Sequence, residues 1–240
     1  MQTQARAHLA AVDPILAEII KQAGDRELAI TSEGTHFHHL LRTIVHQQLA
    51  GAAAQTIHGR VLGIYGGRAP EPAELLATPD RELRRAGLSG QKVSYVRDLA
   101  RRSASGDIPW DTLDALPDEE IVIALTRVKG IGRWSAHMFL MFRLGRPDVL
   151  PELDYGVRKG MQIAYRLRKL PTPRRMQELT AAWAPYRSVG SWYMWRVLEL
   201  PSSRRPPKWK TGAKLSRGSK PKSRMKGKAK QRSKPRDRRR

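Results

Sequence analysis

The 240-residue chain contains no cysteine. This absence excludes disulfide bonds, zinc sites with thiolate ligands and cysteine-held iron–sulfur clusters. Long apolar runs are also missing, since none approaches the roughly 20 residues that a transmembrane helix needs. The first residues lack the charged segment followed by an apolar segment that is typical of a signal peptide. We therefore expect an intracellular protein with no membrane segment.

Acidic residues are scarce relative to basic ones. The chain has 45 Lys and Arg against 22 Asp and Glu, a formal net charge of +23. Most of the excess lies between Ser202 and Arg240, where 18 basic residues accompany one acidic residue. A mildly basic body with a strongly basic tail predicts a polyanionic partner, most simply nucleic acid, to which the tail adds salt-sensitive affinity. A tail that only improves solubility is the alternative.

Alternating strand patterns are absent as well. Apolar residues instead recur at steps of three and four, the spacing typical of helices. The stretches with this spacing are 8–20, 37–66, 92–103, 118–128, 132–145, 155–167 and 186–200. Only residues 27–30 allow a short extended segment. We predict an all-α body of about ten short helices that ends near Pro201, followed by a tail too poor in apolar residues to fold alone.

Two glycines separate a pair of these helical patterns in the stretch 125-LTRVKGIGRWSA-136. Glycine allows a positive φ and lets another chain approach the backbone closely. The N–H groups that follow the turn begin a helix, where they point outward at the positive end of the helix dipole. Such a helix start can bind a phosphate group. A tight connection between two helices explains the same residues, so the pattern alone leaves both interpretations open.

A single aspartate, Asp154, follows in the stretch 149-VLPELDYGVRKGM-161. Its position before a helical pattern predicts the N-cap of that helix, a common use of aspartate. A carboxylate at a helix start is also a candidate catalytic group, because the helix dipole favours its ionised form. The residues alone do not choose between a cap and a catalytic acid.

These stretches resemble parts of one known family. The residues LTRVKGIGRWSA are similar to the helix–hairpin–helix element of the HhH-GPD DNA glycosylase superfamily, and GIGRWSA looks most like the 3-methyladenine DNA glycosylase II branch. The residues VLPELDYGVRKG resemble the Gly/Pro-rich loop and aspartate that name the superfamily. Similarity extends from His36 to Leu200, and it includes IVHQQLAGAAAQTI, AGLSGQKVSYVRDLA and PYRSVGSWYMWR.

Two departures from the family pattern accompany this resemblance. Lys129 stands where relatives usually have proline, which alters the rigidity of the hairpin but keeps its backbone donors. Glu152 and Leu153 precede the aspartate where relatives often carry another short sequence. We therefore treat Glu152 as a surface or loop acid.

The resemblance implies a two-lobed, all-α fold for residues 1–200. A helical barrel would cover about 36–145, and the N-terminal segment with about 146–200 would form the second lobe, leaving 201–240 as a basic tail. The implied partner is double-stranded DNA that contains alkylated bases. We expect the protein to act as a monomer associated with DNA.

The resemblance also implies the chemistry. Asp154 would stabilise the oxocarbenium-like charge that develops on the deoxyribose when an N-glycosidic bond breaks, and would orient or deprotonate water. Members that also cleave the DNA backbone use a lysine where this chain has Trp134. Because a Schiff base needs that amine, the sequence implies a monofunctional enzyme that leaves an abasic site.

Binding roles follow from the same resemblance. Gln48 and Leu49 would enter the duplex in place of the extruded nucleotide, although Leu49 is equally explained as a core residue. Methylated purines carry positive charge and are attracted to aromatic faces. The aromatic pocket would consist of Trp134, Trp195, Trp192 and Tyr186. Tryptophans at helical spacing are usually buried in a core, and Trp183 on the same segment is a further candidate.

The phosphate site implied by the resemblance lies in the hairpin. It comprises Lys129, Gly130, Ile131, Gly132 and Arg133, with Ile131 pinning the turn to the core. No cofactor is expected, although the hairpin carbonyls could hold a monovalent cation. His36, His38, His39 and His46 cluster in one helix. Without acids nearby they do not predict a metal site, and we expect them to face DNA or solvent.

Two alternatives remain at this stage. The first is a glycosylase for another base, such as uracil or hypoxanthine. The second is a DNA-binding protein without enzymatic activity that is built on the same scaffold.

Overall fold

The structure is a computed structural model, which describes residues 2–24 and 26–201. Across these two ranges it contains α-helices and two short 3-10 helices but no strand, and residues 27–30 are irregular. The all-α prediction is therefore confirmed. The basic tail predicted to be disordered lies outside the described residues. In the described part of the chain, no helix has the length and apolar character needed to cross a membrane.

The described residues contain twelve α-helices, where the sequence predicts about ten, and Pro14 and the turn at 47–50 each divide one longer apolar pattern into two helices. The helices are α1 Gln2–Val12, α2 Pro14–Ala23, α3 His36–His46, α4 Gly51–Gly63, α5 Pro72–Ala77, α6 Asp80–Arg85, α7 Gly90–Ala104, α8 Asp118–Thr126, α9 Arg133–Phe142, α10 Tyr155–Ala164, α11 Pro173–Leu179 and α12 Arg187–Glu199. The 3-10 helices are Leu113–Ala115 and Ala181–Trp183.

The helices pack around two hydrophobic cores. Buried residues of the first core lie between Phe37 and Val149, on α3 to α9 and their connections. Those of the second lie between Ala5 and Leu28 and between Leu150 and Val197. The N-terminal helices therefore pack with the C-terminal ones, as a two-lobed fold requires. Phe142 packs against both cores, which marks the junction between the lobes.

A buried aspartate attaches the N-terminal segment to the second core. Asp13 caps α2 by accepting hydrogen bonds from two backbone N–H groups. Its other carboxylate oxygen accepts hydrogen bonds from the Tyr165 hydroxyl and from Trp183 Nε1, the latter at 2.9 Å. Trp183 is fully buried. Its indole thus belongs to the core rather than to a base pocket, in agreement with the usual behaviour of tryptophans at helical spacing.

The close packing of α10 on α12 positions the residues at the start of α10. A Cβ at Gly160 would lie 2.0 Å from the carbonyl oxygen of Met194, so only glycine allows the two backbones to approach this closely. This contact brings the start of α10, with its capping aspartate, beside the side chains of α12.

Candidate active site and nucleic-acid interface

Asp154 is the N-cap of α10, and the residue is only 7% exposed. Oδ1 accepts hydrogen bonds from the backbone N–H of Val157 at 2.7 Å and from Trp195 Nε1 at 2.8 Å. Oδ2 accepts a hydrogen bond from Trp134 Nε1 at 2.7 Å. Indole and backbone N–H groups can only donate. The three contacts therefore use both carboxylate oxygens as acceptors and hold the carboxylate in one orientation.

The two indoles come from different parts of the fold. Trp134 is in the first turn of α9, next to the hairpin, and remains 43% exposed. Trp195 is on α12 and stacks on Phe142, with the ring centroids 5.7 Å apart. Trp195 packs against both cores, like Phe142. The carboxylate thus lies where the two lobes meet, beside an accessible aromatic face.

A glycine in the first turn of α10 makes room for this arrangement. A Cβ on Gly156 would lie 2.7 Å from Cδ1 and 2.8 Å from Nε1 of Trp195, and 3.1 Å from Oδ1 of Asp154. The glycine is therefore needed for the Trp195–Asp154 hydrogen bond to form. The sequence contains this signal, a glycine directly inside a helix start, but sequence reasoning did not use it.

The two glycines of the hairpin serve different purposes. Gly130 has φ +84°, and a Cβ there would lie 2.2 Å from Tyr95 Cδ2, so the fold itself requires glycine. Gly132 has no heavy atom within 4 Å of an added Cβ. No packing inside the described residues explains Gly132, and the open space there leaves room for an external chain to approach the backbone closely. Gly132 is also the N-cap of α9, which has no side-chain cap.

Lys129 and Arg133, the charged residues that flank the hairpin turn, have different contacts. The backbone N–H of Lys129 donates to the buried Asp98 at 2.9 Å, an interaction that proline would prevent. Burial alone would raise the pKa of Asp98, but this hydrogen bond and the nearby Arg102 and Arg101 guanidinium groups hold that pKa below its ordinary value. The Lys129 residue itself is exposed beside the turn.

Arg133 is engaged elsewhere in this structure. Its guanidinium forms two hydrogen bonds with Glu119, at 2.7 and 2.9 Å, and approaches Glu152 at 3.8 Å. The bond to Glu119 raises the pKa of Arg133 and lowers that of Glu119. A role for Arg133 at a phosphate stays a prediction, and it would require exchange of this partner.

The turn between α3 and α4 carries the predicted wedge. Gln48 is exposed and adopts φ +57°, and Leu49 is 37% exposed rather than buried in the core. The neighbouring Gln47 donates from Nε2 to the carbonyl oxygen of Gly130 at 2.8 Å. The structure therefore brings the wedge turn and the hairpin together, a contact that sequence reasoning missed.

A groove of about 720 Å³ lies between α3, the start of α7 and the hairpin. Trp134 forms part of its wall, so the groove adjoins the indole that holds Asp154. Its lining residues are His39, Arg42, Thr43, His46, Gln47, Gln48, Ser89, Gln91, Lys92, Tyr95, Gly130, Trp134 and Ser135. Sequence reasoning expected His39 and His46 to face DNA or solvent, but it did not select the other polar residues of α3 and α7 in this wall, which are Arg42, Thr43, Gln91, Lys92 and Tyr95.

The other aromatic residues predicted for the pocket lie elsewhere. Trp192 is buried edge-to-face against Tyr193, and the Arg196 guanidinium lies 4.8 Å from its ring centroid. Tyr186 contacts the ring of His8. Neither is among the residues that hydrogen-bond Asp154 or line the groove. Their assignment to the base pocket stays a prediction without support from these contacts.

The four histidines of α3 have separate environments. His36 accepts a hydrogen bond from Arg143 Nε and pairs with Asp114 at 3.1 Å, while His38 takes part in the capping box that begins α3. His39 and His46 face the groove. Burial, followed by the charges of Arg143 and Arg42, lowers the pKa of His39 to about 4. Its imidazole is therefore neutral near pH 7.

The hairpin carbonyls are the candidate ligands for a monovalent cation. Those of Leu125 and Val128 accept turn hydrogen bonds, and that of Gly130 accepts from Gln47. Each carbonyl oxygen keeps a second lone pair, and binding of a monovalent cation there stays a prediction. Among residues 2–24 and 26–201, no group of three His, Asp or Glu side chains is arranged to hold a metal ion.

The fold and the site together define a helix–hairpin–helix protein. Its helix α9 begins after Gly132 without a side-chain cap. This helix start lies next to the aspartate that caps α10. The model of the HhH-GPD superfamily, described as a base excision DNA repair protein family, matches residues 41–185. The chain therefore belongs to the HhH-GPD superfamily of base excision DNA repair proteins.

Similar proteins agree with the branch that the motifs indicated. The chain is 32% identical over 207 residues to DNA-3-methyladenine glycosylase 1 of Schizosaccharomyces pombe, covering 85% of this chain and 91% of that protein. A solved S. pombe 3-methyladenine DNA glycosylase in complex with abasic DNA aligns with a TM-score of 0.73 at 32% identity, over 82% of this chain and 97% of the other. A DNA-3-methyladenine glycosidase structure from Bacillus halodurans gives 0.72 at 35% identity, over 79% and 86%.

Proposed function

We propose that this protein is a monofunctional DNA glycosylase that hydrolyses the N-glycosidic bond of alkylated purines, of the 3-methyladenine and 7-methylguanine type. The observation that carries the proposal is the Asp154 carboxylate, fixed by three N–H donors where the lobes meet and next to the hairpin. The similarity to proteins named 3-methyladenine glycosylases supports the substrate class.

The carboxylate acts on the sugar. As the base leaves, positive charge develops on the deoxyribose, and a fixed anion close to it lowers the energy of that transition state. The Trp134 and Trp195 indoles keep Asp154 in place, so little reorganisation is needed when the charge appears. The same carboxylate orients or deprotonates the water that completes hydrolysis.

The substrate must first leave the stacked duplex. Gln48 and Leu49 are exposed on one turn and would occupy the space that the extruded nucleotide leaves. The accessible face of Trp134 attracts a base that carries positive charge, by roughly 0.5–2 kcal/mol. Because such a base is already a good leaving group, a catalyst without a strong general acid is sufficient.

Anchoring of the DNA backbone falls to the hairpin. The free N–H groups at the start of α9 and the open space at Gly132 suit a phosphate group. Lys129 adds charge beside them, and a monovalent cation on the hairpin carbonyls would add more. The basic tail adds affinity that depends on salt. Double-stranded DNA is the partner, bound by a monomer.

Strand cleavage is not part of the proposed reaction. Formation of a Schiff base requires an amine nucleophile, and the residue at the corresponding position is Trp134, whose indole nitrogen donates to Asp154. Base release should therefore leave an intact backbone with an abasic site. A covalent enzyme–DNA adduct trapped with borohydride would contradict this part of the proposal.

The test is release of bases from methylated duplex DNA by wild type and Asp154→Asn. The variant should lower the single-turnover rate by roughly two to three orders of magnitude, because it removes the charge that stabilises the transition state. Glu152→Gln is the matched control, since Glu152 is an acid two residues away, and its rate should stay near wild type. Thermal unfolding of both variants separates a folding defect from lost chemistry. Full activity of Asp154→Asn would refute the mechanism. Release of uracil or hypoxanthine from single-lesion duplexes, without release of methylated purines, would refute the substrate class.

A further inference from the structure

One side chain connects the wedge turn directly to the hairpin. Gln47 Nε2 lies 2.8 Å from the carbonyl oxygen of Gly130, across 83 positions of sequence. Because a carbonyl oxygen can only accept, the amide nitrogen of Gln47 must face Gly130. The residue that precedes Gln48 and Leu49 therefore holds the loop that precedes the helix start of α9.

The wedge turn has a backbone that needs support. Gln48 adopts a left-handed conformation, φ +57°, which is unfavourable for any residue with a Cβ and persists only where the surroundings hold it. Lys92 Nζ donates to the carbonyl oxygen of Val45 at 2.6 Å, at the end of α3. Two residues later, Gln47 is bound to the hairpin. Both contacts hold the chain directly before Gln48.

The same helix that supports the turn supports the hairpin. Asp98 on α7 accepts the backbone N–H of Lys129, and the ring of Tyr95 fills the space where a Cβ of Gly130 would lie. Lys92, also on α7, holds the end of α3. Helix α7 therefore supports both the wedge turn and the hairpin, and Gln47 links these two segments directly.

We propose that Gln47 is a positioning residue that fixes the distance between the wedge at Gln48 and Leu49 and the phosphate anchor at the hairpin. The inference rests on the proposed function, which assigns these two segments to the duplex and to the DNA backbone. Extrusion needs both contacts at once, because the wedge must enter the stack at a fixed step from the gripped phosphate. If the turn is loosened, the wedge contact and the phosphate contact form together less often. The resulting loss in the rate of base release is largest for duplexes whose base stack is hardest to open.

Two substitutions test this coupling. Gln47→Ala removes the link, and Gln47→Glu keeps the length of the side chain but cannot donate to the carbonyl when ionised. Single-turnover release of 7-methylguanine is measured from a fully paired duplex and from a duplex in which the same lesion faces a mismatched base, where extrusion costs less. Gln55→Ala, which truncates an exposed amide on α4, is the matched control.

Both Gln47 variants should release the base roughly three- to tenfold more slowly from the paired duplex, the value of one hydrogen bond expressed as a rate. The loss from the mismatched duplex should be smaller, so the ratio of the two rates changes. Equal losses on both substrates would mean that Gln47 only supports the fold and would overturn the inference, as would unchanged rates. Absence of base release by the wild type would instead refute the proposed function.

Discussion

Gly156 offers the sharpest test of how the site is assembled, because two physical effects predict opposite outcomes for Gly156→Ala. Alanine is the better helix former, and in the first turn of α10 it should stabilise the protein by roughly 0.5–1 kcal/mol if space allowed. Space does not allow it, since the new Cβ would lie 2.7 Å from Trp195 Cδ1 and 2.8 Å from its Nε1. A carbon–carbon contact prefers about 3.5–4.0 Å.

The indole must therefore move by roughly 1 Å, a displacement that follows from the gap between these contacts and the preferred separation. Trp195 is stacked on Phe142, which limits the directions available to it. The shift breaks or lengthens the 2.8 Å bond to Asp154. A hydrogen bond to a charged group contributes roughly 1.5–3 kcal/mol. If that interaction serves the transition state, the rate of base release should fall by roughly 10- to 100-fold.

The assay is single-turnover base release from methylated duplex DNA, with thermal unfolding measured on the same preparations. Gly59→Ala is the matched control, because Gly59 lies inside α4 and an added Cβ there meets nothing within 4 Å. Gly59→Ala should keep the wild-type rate and unfold at an equal or higher temperature. A wild-type rate for Gly156→Ala would show that Trp195 does not need to hold Asp154.

The other predictions concern single side chains. Trp134→Phe removes the donor to Asp154 Oδ2 and should slow base release by roughly tenfold or more. Trp110→Phe is the control and should leave the rate unchanged, because the indole nitrogen of Trp110 has no partner among the described residues. Equal rates for the two variants would contradict the role of the Trp134 indole. His39 has a pKa lowered from 6.5 to about 4, so between these values the unfolded chain binds more protons and stability rises with pH. The unfolding temperature of wild type should therefore fall as the pH falls from 6.5 to 4, and that of His39→Gln should fall less. Parallel curves would refute the half-buried, neutral state of His39.

Local interactions in this chain could be predicted from sequence, because they join residues that are close in the chain. The capping bond of Asp154 reaches only to Val157, three residues on. The glycine turn before α9 and the apolar spacing of the helices have the same short range. The helix–hairpin–helix element and the capping aspartate are therefore predicted correctly as structural features.

The direction in which side chains point within the two cores could not be predicted from sequence in the same way. Trp192, Tyr186 and Trp195 lie on or next to α12, and apolar spacing cannot tell which of them faces the aspartate. Packing of α12 on α10 through Gly160 turns Trp195 toward Asp154 and leaves Trp192 against Tyr193. The pairing of Arg133 with Glu119 likewise depends on how α8 lies beside α9.

Sequence by itself determined the all-α class, the strong positive charge and the positions of the glycine turn and the capping aspartate, since spacing, composition and local hydrogen bonds follow directly from residue order. Only the tertiary structure decided which donors hold the carboxylate, because Trp134 and Trp195 are 20 and 41 residues away from Asp154 along the chain. It also decided that Gln47 meets Gly130. Contacts over such separations depend on how helices pack, and packing is a property of the whole set of buried surfaces rather than of any local stretch.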